Sequence, residues 1–269
     1  MTTAHLGQHL ACLHQTPPLT HCITNYVAMN SSANILLALG ASPAMLHAEQ
    51  EVAEFVKLSS ALSVNIGTIS APWATGIQLA ARTAQASGTP WVLDPVAVGA
   101  TAYRQQLCAE LLAFRPTVIR GNASEILSLN GVANPGRGAD STASSDDAYT
   151  AALQLARQQG CIVGVSGETD IITDGQRSLR LYGGHSLMPR VTTLGCGLSA
   201  AVAAFVGANP SSPWMATAAA FGCFALAGER AGQRAKGPGS FTPAFLDALY
   251  QLTPQDLDTC LKMEPMNVA

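Results

Sequence analysis

A single thiol lies between two glycines in the stretch Arg190 to Val206, R-V-T-T-L-G-C-G-L-S-A-A-V-A-A-F-V. Gly195 and Gly197 flank Cys196, and a run of small and apolar residues follows. The pattern predicts a tight loop that delivers Cys196 to the N-terminus of a buried helix. Unpaired N–H groups and the helix dipole favour negative charge at such an end. That charge can be a bound anion or the thiolate of Cys196 itself. The plain alternative is a small cysteine packing a crowded helix start. Other polar residues fall where apolar runs end: Asn25, Thr68, Asp94, Arg120, Glu125 and Ser166. Asp94 and Glu125 can hold magnesium directly or through water, and Arg120 can balance phosphate charge. The backbone from Gly195 to Gly197 can surround a phosphoryl group with N–H donors. Together these groups point to phosphoryl transfer, which needs mainly positioning and charge stabilisation. A thiol hydrolase, with Cys196 paired to His21 or His185, is the competing chemistry, although no spacing singles out such a pair.

A scaffold must gather these scattered residues. Short apolar, partly β-branched runs predict strands at 19–23, 62–66, 91–93, 117–119 and 161–165, alternating with helices at 27–39, 49–58, 73–86, 103–114 and 146–159. This alternation predicts right-handed parallel crossover units. Ligands of such open sheets commonly lie beyond the strand C-termini, where the polar candidates occur. Asn122 and Glu125 have the spacing of a reciprocal helix cap, a structural alternative to metal binding for Glu125. The A-S-P-A-M segment ending at Met45 reads as a turn between helices. Residues 130–145 form a polar connection containing P-G-R-G-A-D, either ligand-facing or solvated. Asp174-Gly175 marks a hairpin between 171–173 and 178–182, an antiparallel edge on the parallel sheet. Helices at 214–231 and 245–252 complete the chain, with Pro238-Gly239 between them. The expected architecture is one three-layer α/β domain spanning 1–269, with a mostly parallel central sheet.

Composition narrows the function. Of 269 residues, 48% are hydrophobic and 12% charged, which opposes disorder and implies extensive burial, subunit contacts included. The net charge is -3 and no basic cluster marks a nucleic-acid footprint. Seven cysteines, an odd number without a C-x-x-C pair, argue against a disulfide framework or structural zinc and fit a reducing cytoplasm. Val191 to Gly228 lacks Asp, Glu, Lys and Arg, but N-P-S-S-P at 209–213 divides it into pieces short of the roughly 20 residues of a membrane span. No G-x-x-x-x-G-K-S/T loop is present, and no G-x-G-x-x-G motif occupies an early strand-to-helix junction.

Ordered segments make the kinase reading specific. H-C-I-T-N, N-I-L-L-A-L-G-A-S-P-A-M, N-I-G-T, W-V-L-D-P-V-A-V-G-A, R-G-N-A-S-E-I, G-R-G-A-D, G-C-G-L-S-A and G-P-G-S-F run from His21 to Phe241. In this order they resemble the hydroxyethylthiazole kinase family of thiamine salvage, within the ribokinase-like superfamily. The resemblance implies a ribokinase-like three-layer fold. It also implies transfer of the ATP γ-phosphoryl group to the primary alcohol of 4-methyl-5-(2-hydroxyethyl)thiazole, with Mg2+ as cofactor. It places Asn25, Met45 and Gly67 near the thiazole, Arg120 and Ser166 at the nucleotide, and Asp94 and Glu125 in the magnesium region. Cys196 takes the position where many sugar kinases of the superfamily have an aspartate base. A homotrimer with sites at subunit boundaries is implied as well. The family usually has G-T-G-C where this chain has Thr193-Leu194-Gly195-Cys196. Thr193 thus replaces a glycine that approaches substrate, and its bulk is expected to alter the pocket or the loop dihedrals. A kinase for another heterocyclic alcohol and a non-catalytic metabolite-binding homologue are the alternatives. Direct transfer without a phosphocysteine is the expected mechanism. Cys196 then orients or deprotonates the hydroxyl, and with an ordinary thiol pKa of about 8.5 it is an imperfect base.

Overall fold

The computed structural model describes residues 5–131 and 144–268. The first half runs α1 (Gly7–Gln15), β1 (Leu19–Ile23), α2 (Met29–Ala38), β2 (Ser42–Ala44), α3 (Glu49–Leu58), β3 (Ala61–Asn65), α4 (Ala71–Ser87), β4 (Trp91–Asp94), α5 (Ala102–Leu112), β5 (Val118–Asn122) and α6 (Ala123–Leu129). The second half runs α7 (Tyr149–Gln159), β6 (Ile162–Ser166), β7 (Asp170–Thr173), β8 (Ser178–Tyr182), α8 (Leu194–Ala208), α9 (Pro213–Arg234), α10 (Pro238–Gln251), α11 (Pro254–Thr259) and β9 (Lys262–Met266).

One nine-stranded sheet has the order β2-β1-β3-β4-β5-β6-β7-β8-β9. Strands β1 to β6 pair in parallel, and β7, β8 and β9 extend the sheet antiparallel. A parallel sheet needs cover on both faces, so its strands carry apolar residues on both sides; every residue of β3 is buried. Adjacent residues of β6 enter opposite cores: Ile162 joins one apolar cluster and Val163 the other. Helices α1, α2, α8, α9 and α10 fill the first cluster, with Phe205, Phe221 and Phe245 among its large side chains. Helices α3 to α7 fill the second. Close approach of α2 and α8 depends on Gly197, where a Cβ would lie 2.4 Å from Ile35 Cδ1.

The predicted mostly parallel sheet with an antiparallel edge is present. Several local expectations differ. The A-S-P-A-M segment is more than a turn, because Ser42–Ala44 pairs in parallel with β1. The hairpin does not form the outermost edge: β9 covers β8, register Leu181↔Met263. Pro238 and Gly239 open α10 rather than separating two helices, since Pro at the first helical position loses no needed hydrogen bond. Helix α11 was not anticipated. Most of the 130–145 connection, including G-R-G-A-D, lies outside the described residues. Among the described residues, no helix is long and apolar enough to cross a membrane.

Candidate active site

Strand register builds the centre of the site. Pairing of β3 with β4 places Asn65 beside Asp94. Asn65 Nδ2 donates to Asp94 Oδ2 at 2.6 Å, and Ser199 Oγ on α8 donates to the same oxygen at 2.9 Å. Asp94 is fully buried, and its Oδ1 has no hydrogen-bond partner. Asn65 Oδ1 faces the other way and accepts from Gly67 N and Asn25 Nδ2, each at 2.9 Å. Asn25 Nδ2 also lies 3.3 Å from Cys196 Sγ, to which it donates. Asn25 Oδ1 accepts the Ala28 N–H at 3.0 Å, which fixes the amide orientation. Gly67 must lack a side chain, because a Cβ would lie 2.7 Å from Asn25 Nδ2. Asn25, Gly67, Asp94 and Cys196 therefore join one network. Thr68 stands beside it and accepts the Tyr26 N–H at 3.0 Å. Met45 follows β2 and packs half-buried against the apolar cluster that includes Leu194 and Leu198 of α8.

The start of α8 differs from its sequence reading in two ways. Thr193 is the N-cap, with φ 72 in the left-handed region, a conformation that costs an L residue about 1–2 kcal/mol. Its Oγ1 lies 2.6 Å from Ser31 Oγ, a hydrogen bond that ties this strained residue to α2. Gly197 was expected to offer its N–H to phosphate; instead that N–H donates to the Thr193 carbonyl at 2.8 Å, and Gly197 serves the packing against Ile35. The first-turn N–H groups of Leu194, Gly195 and Cys196 are the ones without intrahelical acceptors. Gly195 lets Arg120 lie against this turn, since a Cβ there would be 2.8 Å from Arg120 Nη1. The second correction concerns the thiolate. Burial and the negative field of Asp94 push the Cys196 thiol up to about 11, outweighing the Asn25 hydrogen bond and Arg120. A helix N-terminus favours an anion, but desolvation beside a carboxylate wins here.

Across the sheet lies a charged half. Arg120 is buried on β5, donates through Nη2 to Ser166 Oγ at the end of β6, and leaves Nε without a partner. Beyond Ser166, Asp170 Oδ1 accepts the Gly167 N–H at 3.0 Å. Desolvation raises the Asp170 carboxyl to about 7, against the pull of that hydrogen bond and Arg120. Glu125 fulfils the predicted reciprocal cap with Asn122. Its Oε2 accepts from Asn122 N at 2.8 Å and its Oε1 from Ala97 N at 3.0 Å. Burial holds both Asp94 and Glu125 above the usual carboxylate range; Asp94 pushes Glu125 further up, and Arg120 opposes both shifts. Among the described residues, no three His, Cys, Asp or Glu side chains converge on one metal position.

Neither histidine proposed for a hydrolase serves Cys196. His21 Nε2 bonds the Leu46 carbonyl at 2.8 Å, and burial lowers its pKa to about 4. His185 stacks on Phe241 and accepts the Leu187 N–H through Nδ1. Three participants escaped the sequence reading: Asn65, Ser199 and Asp170. An amide ending the apolar run of β3 was a usable signal for Asn65. Ser199, three residues after Cys196, shares its helical face. Asp170 carried no comparable cue.

The sequence pattern of the hydroxyethylthiazole kinase family matches residues 10–255. The hydroxyethylthiazole kinase of Cereibacter sphaeroides (strain ATCC 17025 / ATH 2.4.3) is 54% identical over 258 residues, covering 96% of this chain and 98% of that protein. That of Rhizobium johnstonii is 52% identical over 252 residues, 94% of each chain. Among solved structures, hydroxyethylthiazole kinase protein from Pyrococcus horikoshii OT3 superposes with a TM-score of 0.90 at 37% identity, covering 97% of this chain and 99% of that one. Pyridoxal kinase from Staphylococcus aureus, in complex with pyridoxal, shares the fold at a TM-score of 0.66 and 18% identity over 92% of this chain and 97% of its own. The architecture is thus the ribokinase-like α/β fold, and the chain belongs to the hydroxyethylthiazole kinase family.

Proposed function

We propose that this chain transfers the γ-phosphoryl group of ATP to the primary alcohol of 4-methyl-5-(2-hydroxyethyl)thiazole. The observation that carries this reading is the meeting of opposite requirements at Cys196. On one side the Asn25–Asn65 amides and Gly67 form a neutral polar cradle. On the other, Arg120 lies against the open first turn of α8. The neutral side suits an uncharged heterocyclic alcohol. The cationic side, with its free N–H groups, suits a transferring phosphoryl group. Asn25, Met45, Gly67 and Thr193 are assigned to the acceptor; Arg120, Ser166 and Gly195 are assigned to the nucleotide.

The residues present fit a magnesium ion. Asp94 Oδ1 is buried without a partner, and the charge of Asp94 disfavours that of Glu125. Mg2+ commonly takes one or two carboxylates plus substrate phosphates. Asp94 would hold it directly, and Glu125 would reach it by a remaining lone pair or through water. When bound, the ion neutralises charge on the phosphates.

The chain's own groups then do the following. Ser199 and Asn65 fix Asp94 from one side, leaving Oδ1 free to act. Arg120 and the first-turn N–H groups stabilise charge on the phosphoryl oxygens. Asn25 orients Cys196. In the ligand-free site burial and the Asp94 charge hold the thiol protonated, and Cys196 is assigned to positioning the substrate hydroxyl by hydrogen bonding rather than to removing its proton. A loose transition state needs little deprotonation beforehand.

A homotrimer with sites at subunit boundaries belongs to the same proposal; exposed Tyr26 and Val27, next to Asn25, favour a covering neighbour. So do a single domain over 1–269, supported by the one continuous sheet, and a cytoplasmic setting, supported by the odd cysteine number. The test incubates purified protein with Mg-ATP and a panel of thiazole and pyrimidine alcohols, reading ADP release and product mass. Thiazole phosphate as the main product is expected. Phosphorylation of another alcohol alone would reassign the substrate, and no ADP formation with any alcohol would leave a binding protein.

A further inference from the structure

One cation near the site takes no part in the contacts described so far. Arg104, half-buried on α5, is absent from the ion pairs of the described residues. Its guanidinium instead donates to three backbone carbonyls on two loops. Nη1 reaches Ile66 O at 2.6 Å and Val96 O at 2.9 Å, and Nη2 donates to Gly67 O. Ile66 and Gly67 follow β3, whereas Val96 follows β4. Arg104 is itself anchored by the cap of α5, where Thr101 Oγ1 accepts its N–H at 3.3 Å.

Both loops are functional by position. Gly67 sits against Asn25, and its N–H bonds Asn65 Oδ1. Ala97, directly after Val96, adopts a left-handed φ of 54 and donates its N–H to Glu125 Oε1. Carbonyls in a loop are weakly held unless something pairs with them. A planar guanidinium can hold several in fixed directions, which an ammonium cannot. One side chain thus ties the backbone beside the acceptor cradle to the backbone that fixes a carboxylate.

We infer that Arg104 is a positioning residue for the acceptor half of the site, its single guanidinium setting the spacing between the loops after β3 and β4 through the carbonyls of Ile66, Gly67 and Val96. This rests on the assignment of the acceptor to the Asn25–Gly67 side. A displacement of about 1 Å at such a cradle costs up to about a hundredfold in rate.

The decisive measurement is residue-resolved hydrogen exchange on ligand-free wild type and Arg104→Lys, which keeps the charge but loses the planar fork. The Gly67 and Ala97 amides should exchange about tenfold faster in the variant, with core strand amides unchanged. In parallel, KM for the thiazole alcohol should rise about tenfold, with a smaller rise in KM for ATP transmitted through the Ala97–Glu125 contact. Arg104→Ala should regain part of its affinity for the alcohol when free guanidinium is added at concentrations that leave the wild type unaffected. Wild-type exchange at both amides in a folded variant overturns the inference, as does an equal rise in both KM values. Loss of the fold in both variants would show a framework contact and overturn it too. If the wild type does not phosphorylate the thiazole alcohol, the functional reading fails, and the exchange comparison still decides the role of Arg104.

Discussion

The two halves of the site are built differently. On the side proposed for the acceptor, Asn25, Asn65, Ser199 and Cys196 are linked to one another and to Asp94 without a ligand, and each amide is held from more than one direction. On the side proposed for the nucleotide, Arg120 meets Ser166 but keeps an unpartnered Nε, and Asp170 and Ser166 are only half-buried. Neutral donors organise the first half before binding. The second holds charge that a phosphate-bearing ligand would complete. On the proposed assignment, acceptor geometry is preset by short polar side chains, whereas nucleotide binding draws on incompletely satisfied charge.

Three perturbations test this division. The largest effect should come from Asp94→Asn, where the halves meet. The amide oxygen can still accept from Asn65 and Ser199, so the fold should persist, while kcat falls about 100- to 1000-fold with both KM values near wild type. Steady-state kinetics beside a thermal melt would check this; a variant retaining wild-type kcat removes Asp94 from the chemistry. A smaller, one-sided effect is expected from Arg120→Lys, which loses the geometry toward Ser166. KM for ATP should rise about tenfold and KM for the alcohol should not. Equal rises would break the separation of the halves.

The smallest effect is on stability. Desolvation raises the folded-state pKa of Asp94, Glu125 and Asp170, with Asp170 moving from 3.8 to about 7. Over that window the folded chain binds more protons than the unfolded chain, so its stability falls as pH rises and levels off above it. The ligand-free melting temperature should therefore drop by a few degrees between pH 5 and pH 8, from these groups alone, and Asp170→Asn should flatten part of the slope. Mg-ADP should stabilise more at pH 8 than at pH 5, since it favours the ionised carboxylates. A steeper loss in Asp170→Asn than in wild type would contradict the assigned shift.

Local pattern revealed much of the scaffold and less of the site. Leu19–Ile23, Glu49–Leu58 and Ser178–Tyr182 matched their predicted bounds because apolar runs and flanking turns agreed there. The Asn122–Glu125 cap was legible from a three-residue spacing. Ser42–Ala44 was hidden because a three-residue edge strand containing Pro43 has no periodicity to read. Lys262–Met266 was hidden for a related reason, with Lys262, Glu264 and Pro265 suited to an edge rather than to a core. Local cues exist for Asn65 and Ser199 singly but not for their joint hold on Asp94, since that shared partner depends on strand register and on a helix more than a hundred residues away in sequence. The Cys196 thiol shows the same limit. Its sequence neighbours favour an anion, but burial, with Asp94 from a distant part of the chain adding to it, reverses the sign.

That reversal also governs how the protein meets oxidants. Burial first, and the Asp94 charge second, push the Cys196 thiol up to about 11, so the ligand-free site holds it as the thiol at neutral pH. Sulfenylation and alkylation proceed through the thiolate, so the sulfur at the centre of the site is chemically quiet. Cys12 and Cys260, the exposed thiols, face such reagents first. The burial that encloses this sulfur, reinforced by Asp94, thus also shields it from redox chemistry.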